Sequence, residues 1–232
     1  MIPWGADGYK VVFTTRVGGV SEGPYASLNL GRKSGDEVEH VDENRRIACE
    51  AIGAEVEKLA LNYQVHSARV VQAAPARREE HADGLWTNEP HVPILAMSAD
   101  CLPVVIARTD TREPAVAVLH VGWRGLLEGI VAAGTDALGG GSLIAAIGPG
   151  IGPCCYEVGE EVAAPFREAF GDDVVHDGRL DLWTCVERAL RAAGCSGVER
   201  LGDCTSCDGD RFFSHRRDGA RTGRQGVIAY VT

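Results

Sequence analysis

The sequence predicts an α/β protein: a single mixed-sheet α/β domain spanning residues 1–232, with helices on its flanks. Three observations predict it. Apolar runs with period-two alternation or β-branched composition mark strands, runs with helical periodicity fall between them, and no Ser/Gly/Pro-rich linker or repeat divides the chain. A compact chain of this length buries roughly 70 % or more of its unfolded surface, so it needs no disulfide staples to fold.

In chain order, strands are expected over Tyr9–Thr15, Ala68–Ala74, Pro93–Ser98, Leu102–Arg108, Ala115–Val121, Ser142–Gly148 and Gly226–Val231. A first helix is expected in DENRRIACEAIG, where Ile47, Ala48, Ala51 and Ile52 share a face, with Asp42 capping its start and Gly53 its end. A second follows Trp123, carries Leu126, Leu127, Ile130, Val131 and Leu138 on one stripe, and stops at glycines 139–141. Two more occupy VGEEVAAPFREAFG and LDLWTCVERALRAAG, each closed by a glycine; Pro165 should kink the former or begin a new segment.

The formal net charge of −10 argues against a broad nucleic-acid or anionic-membrane surface. No apolar run reaches the roughly 20 residues that span a bilayer. MIPWGADGYK lacks the basic start and apolar core of a secretory signal, so the expected compartment is the cytoplasm. A local anion site remains compatible with this charge. Five arginines (Arg211, Arg216, Arg217, Arg221 and Arg224) crowd the C-terminal region, either as a solvated loop or as a grip on phosphate or carboxylate.

Of the eight cysteines, Cys49, Cys185 and Cys195 lie in or beside helical patterns and are expected to be buried small apolar residues. Cys204 and Cys207 form a C-x-x-C, readable as half a zinc knuckle or as a redox pair, but the second C-x-x-C of a zinc ribbon is absent.

Three separate segments bring metal-type ligands to strand ends or tight turns: His66 in NYQVHSARV, Cys101 in SADCLPVV and His120 in VLHVGWRG. A thiolate and two imidazoles suit zinc, and a catalytic zinc keeps its fourth position for water or substrate. Taken singly, each has a plainer reading, a hydrogen-bonded histidine or a core cysteine. Their spacing matches no local finger, so only the fold could assemble them. Asp100 and Pro103 flank Cys101 at a strand entrance. His120 is followed by Gly122-Trp123-Arg124-Gly125, a turn feeding a helix whose free N–H groups offer a berth for phosphate.

TTRVGGVSEGPYASLNLG (14–31), NYQVHS, ADCLPV, HVGWRG, GPGIGPCCYEVG (148–159) and CTSCDGDRFFSHRRDGARTGRQ (204–225) together resemble the YfiH/YlmD-type family, also described as laccase-domain or polyphenol oxidase proteins. The resemblance runs in order from about Phe13 to Val231. It implies a fold like that of cytotoxic-necrotizing-factor deamidases and a zinc ion held by His66, Cys101 and His120. It further implies purine nucleoside phosphorylase activity on adenosine, inosine, guanosine and methylthioadenosine, with adenosine deamination. The chain departs from the usual pattern at Ser67, where glycine is common, at Tyr63, Val121 and His215, and at an apparently inserted Arg221. Ser67 would alter the turn if that glycine needs a positive φ.

On this reading Arg45, Arg124, Arg216 or Arg217 holds the phosphate co-substrate, and Asp100 carries a proton or orients a ligand. Two other classes compete. Cys101 with His120 or His66 could act as nucleophile and base in a metal-independent cysteine hydrolase or amidase. A copper polyphenol oxidase is disfavoured, because the chain has seven histidines and no His-x-His pair. A non-catalytic redox or metal-binding module centred on Cys204-x-x-Cys207 ranks with the oxidase. Oligomeric state is left open.

Overall fold

The structure is a computed structural model that describes residues 1–79, 81–110, 113–201 and 203–232. Among these residues most strands divide between two six-stranded mixed sheets, and Val175–His176 pairs with Arg179–Leu180 in a separate two-stranded sheet. The first runs, in spatial order, Ile2–Trp4, Tyr9–Phe13, Gln225–Val231, Ile94–Ser98, Ala60–Asn62 and Arg78–Glu79. The second runs Cys195–Arg200, Leu143–Ile147, Leu102–Arg108, Ala115–Val121, Gly84–Thr87 and Val70–Gln72. The mixed α/β class holds, with most of its strands shared between two stacked sheets.

The alternation of side chains along each strand explains the layering. Val105 and Ala107 face inward with Val116 and Val118, meeting Phe13, Ile94, Ala96, Val227 and Ala229 of the first sheet. Leu102, Val104, Ile106, Leu119 and Val121 point the other way, onto helices Trp123–Leu127, Ile130–Ala137, Glu160–Phe170 and Leu182–Ala192. Helix Val38–Glu50 covers the outer face of the first sheet, where Ala48 and Cys49 meet Val12, Leu95 and Ile228. Strands buried on both faces read as continuous apolar runs, which is why they stand out in the sequence.

Several element boundaries differ from expectation. The first helix starts at Val38 with Glu37 as its cap; Asp42 lies inside it and pairs with Arg32. Its opening turn, VEHV, buries Val41 but leaves Val38 exposed, and the polar run Asp42–Arg46 separates it from the apolar face at Ile47 and Ala48, so the sequence signal begins late. The second helix is broken into two by Gly129, which adopts φ +91°, a conformation open to glycine at little cost. Pro165 does not start a new segment: Glu160–Phe170 is one helix that contains it. The missing Pro165 N–H orphans only the Glu161 carbonyl in the solvent-facing first turn. Cys195 opens an edge strand rather than ending a helix, yet it is buried, as are Cys49 and Cys185.

Candidate metal centre and cavity

The strands Leu102–Arg108 and Ala115–Val121 pair antiparallel with Leu102 opposite Val121 and Pro103 opposite His120. This register brings Cys101, at the entrance of one, beside the exit of the other. His66 arrives on the loop between strands Ala60–Asn62 and Val70–Gln72. One ligand atom each from His66, Cys101 and His120 lies within 4.8 Å of the others. Cys101 Sγ is 3.8 Å from His66 Nε2, and the two imidazole rings meet edge to face with centroids 4.9 Å apart. Side chains separated by 35 and 19 positions thus converge, and their donor set and spacing fit a single metal ion.

A residue that carried no recognisable motif organises this trio. Asp83 is fully buried and 2.9 Å from His120 Nδ1, which leaves Nε2 for a ligand role. The same carboxylate accepts hydrogen bonds from the backbone N–H groups of Val65, His66 and Ser67 and from Ser67 Oγ. One acid therefore fixes both the loop that carries His66 and the orientation of His120. Burial would raise Asp83, but the hydrogen bond and charge of His120, with the Ser67 bonds, outweigh it and hold the carboxyl at about 2.

The centre is electrostatically coupled. Burial alone would raise the Cys101 thiol; the charge and hydrogen bonds of His120 and His66 bring it down to about 6. Burial would lower the His120 imidazolium, yet Cys101 and Asp83 hold it up at about 9. Gly122 makes room for the trio: a Cβ there would lie 2.8 Å from His66 Cδ2 and 3.1 Å from Cys101 Sγ. His66 itself takes the positive φ of this turn, at 64°, while Ser67 does not. The Ser67 departure is therefore accommodated, and its hydroxyl is used on Asp83.

The three residues line a cavity of about 840 Å³, together with Tyr156, His215 and several cations. That volume suits a small organic molecule. Of the four arginines proposed for phosphate, Arg45 and Arg216 line the cavity and Arg124 and Arg217 do not. Arg124 is exposed, over the ring of Trp123, and Arg217 bonds Asp218 and the carbonyls of Thr205 and Phe212. Arg32, Lys33 and Arg224 also reach the cavity wall, where Asp100 is the acid among the described lining residues. A strongly acidic chain thus carries a locally cationic pocket. Asp100 itself, at φ 95°, accepts from Thr205 Oγ1 at 2.7 Å and from the Arg216 backbone N–H at 2.6 Å. It ties Cys101 to the loops opposite. Among the described residues, Asn62 Oδ1 and Ser98 Oγ are buried without a hydrogen-bond partner, and both residues line the same cavity.

Asp83 escapes a motif search because it stands alone before the strand Gly84–Thr87, and nothing local links it to residues 65–67 or 120. Among the described residues, no helix is long and apolar enough to cross a membrane.

A family model described as multi-copper polyphenol oxidoreductase laccase matches residues 10–232. A Pseudomonas aeruginosa protein named purine nucleoside phosphorylase is 41 % identical, over 96 % of this chain and 93 % of its own. The Escherichia coli protein named purine nucleoside phosphorylase YfiH is 34 % identical, over 97 % and 94 %. Among solved structures, a Neisseria meningitidis protein superposes with a TM-score of 0.89 at 35 % identity, covering 97 % of this chain and 95 % of that one. YlmD from Geobacillus stearothermophilus gives 0.86 at 32 % identity, over 97 % and 92 %. With the family model matching nearly the whole chain and relatives of this similarity along its length, the chain belongs to the YfiH/YlmD-type, laccase-domain family.

Proposed function

We propose that the chain, acting as one catalytic unit over residues 1–232, is a zinc-dependent purine nucleoside phosphorylase that also deaminates adenosine. The observation that carries this reading is the convergence of His66, Cys101 and His120 on a cavity whose wall is lined by cations. The names of its relatives point the same way. His66, Cys101 and His120 would hold the ion, and zinc bound there would supply Lewis acidity toward the purine edge and toward water, whose pKa it can lower to about 7.

The remaining chemistry falls to the protein. Phosphorolysis transfers the ribosyl C1′ from the purine nitrogen to a phosphate oxygen, giving ribose 1-phosphate and free base; the leaving nitrogen takes up a proton. Arg45 and Arg216, with Lys33 and Arg224, would hold the phosphate anion against C1′. Asn62 and Ser98 present polar atoms to which a nucleoside can bond. Asp83 keeps His120 in the tautomer that aims Nε2 at the centre, and Asp100 holds the opposite wall. The test is phosphate dependence: inosine should yield hypoxanthine and ribose 1-phosphate in equal amounts with phosphate present, and neither without it. Hypoxanthine release independent of phosphate would remove phosphorolysis.

One observation favours a second reading. Asp83, His120 and Cys101 stand in the order orienter, base and nucleophile, with the thiol lowered, which is the arrangement of a metal-independent cysteine hydrolase or amidase. Chelation separates the two, because it should abolish the zinc reaction and spare a thiol one. Metal analysis of the same sample decides between zinc and copper.

A further inference from the structure

The C-x-x-C at Cys204–Cys207 does not stand alone. Strands Leu143–Ile147 and Cys195–Arg200 run parallel as neighbours, so the loops that leave their C-terminal ends emerge side by side. Gly150 bridges Cys204 in parallel, and the Thr205 N–H donates to the Gly150 carbonyl at 3.0 Å. Each loop then turns tightly. Cys155 N–H donates to Gly152 O at 3.0 Å, and Cys207 N–H to Cys204 O at 3.2 Å. These turns place the sulfurs of Cys154, Cys155, Cys204 and Cys207 within 4.8 Å of one another. Cys207 Sγ lies 3.4 Å from both Cys154 Sγ and Cys155 Sγ, and the Gly152 N–H donates to Cys204 Sγ at 3.2 Å. All four are free thiols.

We propose that Cys154, Cys155, Cys204 and Cys207 form a second metal site, holding one zinc-class divalent cation through four thiolates and clamping together the two loops beside the cavity. The spacing supports a single ion: zinc–sulfur bonds of about 2.3 Å put tetrahedral thiolates about 3.8 Å apart. A four-thiolate set is the closed arrangement of structural zinc, with no position left for a reactant. Binding would release four thiol protons, and the Gly152 N–H is already placed to bond one of the resulting thiolates. The clamp bears on the cavity because Tyr156, directly after Cys155, and Arg216, in the short helix His215–Asp218 that follows the Cys204–Cys207 turn, both line it. Arg216 donates to the Glu157 carbonyl at 2.9 Å, and its guanidinium lies 5.4 Å from the Tyr156 ring centroid. The sequence hid this site because the partner of the C-x-x-C is a vicinal pair some fifty residues earlier rather than a second C-x-x-C.

The test counts metal in protein purified with reductant and supplied zinc, and it does not depend on the phosphorylase reading because no substrate enters it. Wild type should hold two ions per chain, Cys101→Ala one, and Cys204→Ser/Cys207→Ser one. Metal content unchanged by the Cys204→Ser/Cys207→Ser pair, or no ion in Cys101→Ala, overturns the proposal. Should the double variant fold poorly, Cys101→Ala loaded with cobalt supplies a readout on otherwise intact protein: a strong sulfur-to-cobalt charge-transfer band is expected, and its absence overturns the proposal equally. In wild type, zinc should slow modification of the exposed Cys154 and Cys207 by a disulfide-exchange reagent at least tenfold, and equal rates with and without zinc contradict the site.

Discussion

The Asp83 carboxylate and the His120 imidazole, 2.9 Å apart and both buried, form the pair on which the candidate metal centre hangs. Replacing the acid by its amide keeps the shape and removes the charge-assisted bond. Asp83→Asn should weaken metal binding by about 10- to 100-fold, the usual effect of losing such a partner. Competition with a calibrated chelator reads this directly, and unchanged affinity would show that Asp83 does not orient the ligand.

The same acid sets a pH dependence. Its folded value of about 2 lies below the ordinary 3.8, so the stabilisation is fully present above pH 4 and is lost as pH falls toward 2. The linked contribution is on the order of 2 kcal/mol. Denaturant unfolding of metal-free protein from pH 6 down to 2 should show a steeper loss for wild type than for Asp83→Asn. Parallel curves would contradict the assignment.

Gly122 tests crowding apart from backbone strain, since its φ of −88° is open to any residue. A methyl group 2.8 Å from His66 must push that ring away. Gly122→Ala should lower metal affinity about tenfold or more while leaving the fold intact, as judged by chelator competition and circular dichroism. Full affinity in the alanine variant would mean that the three ligands are placed differently.

Ser67 reads the other way. It has an ordinary φ and donates to Asp83 Oδ2 at 2.8 Å. Ser67→Gly, although it moves toward the usual family residue, should destabilise the chain by about 2 kcal/mol through one lost charge-assisted bond and added backbone freedom. Urea midpoints at constant m-value check this; a stabilised glycine variant would show that the turn is strained.

Much of the fold was legible because strands such as Leu102–Arg108 are buried on both faces and carry unbroken apolar runs. The edge strand Cys195–Arg200 was not, since CSGVER is half polar and partly exposed. Its neighbour Leu143–Ile147 could be read at once. At the site, His66, Cys101 and His120 could be named from residue type and strand position, whereas Asp83 could not, because its partners are set by tertiary contacts 16 to 37 residues away. The arginines proposed for phosphate illustrate the same limit: composition marks Arg124 and Arg216 equally, and only packing puts one outside the cavity wall and the other on it.

That difference is measurable. Arg216→Ala should raise KM for phosphate about tenfold, as expected for a lost charge-assisted contact, and alter kcat less. Arg124→Ala should leave both within twofold. Equal effects from the two variants would contradict the proposed phosphate wall.

The central claim, that a thiolate-and-imidazole metal centre drives phosphorolysis, is tested most directly by following phosphate-dependent hypoxanthine release from inosine alongside metal content, for wild type and Cys101→Ala. The account predicts robust turnover by wild type that a chelator abolishes, and loss of both turnover and one bound ion in the variant. Turnover that survives in Cys101→Ala would contradict it.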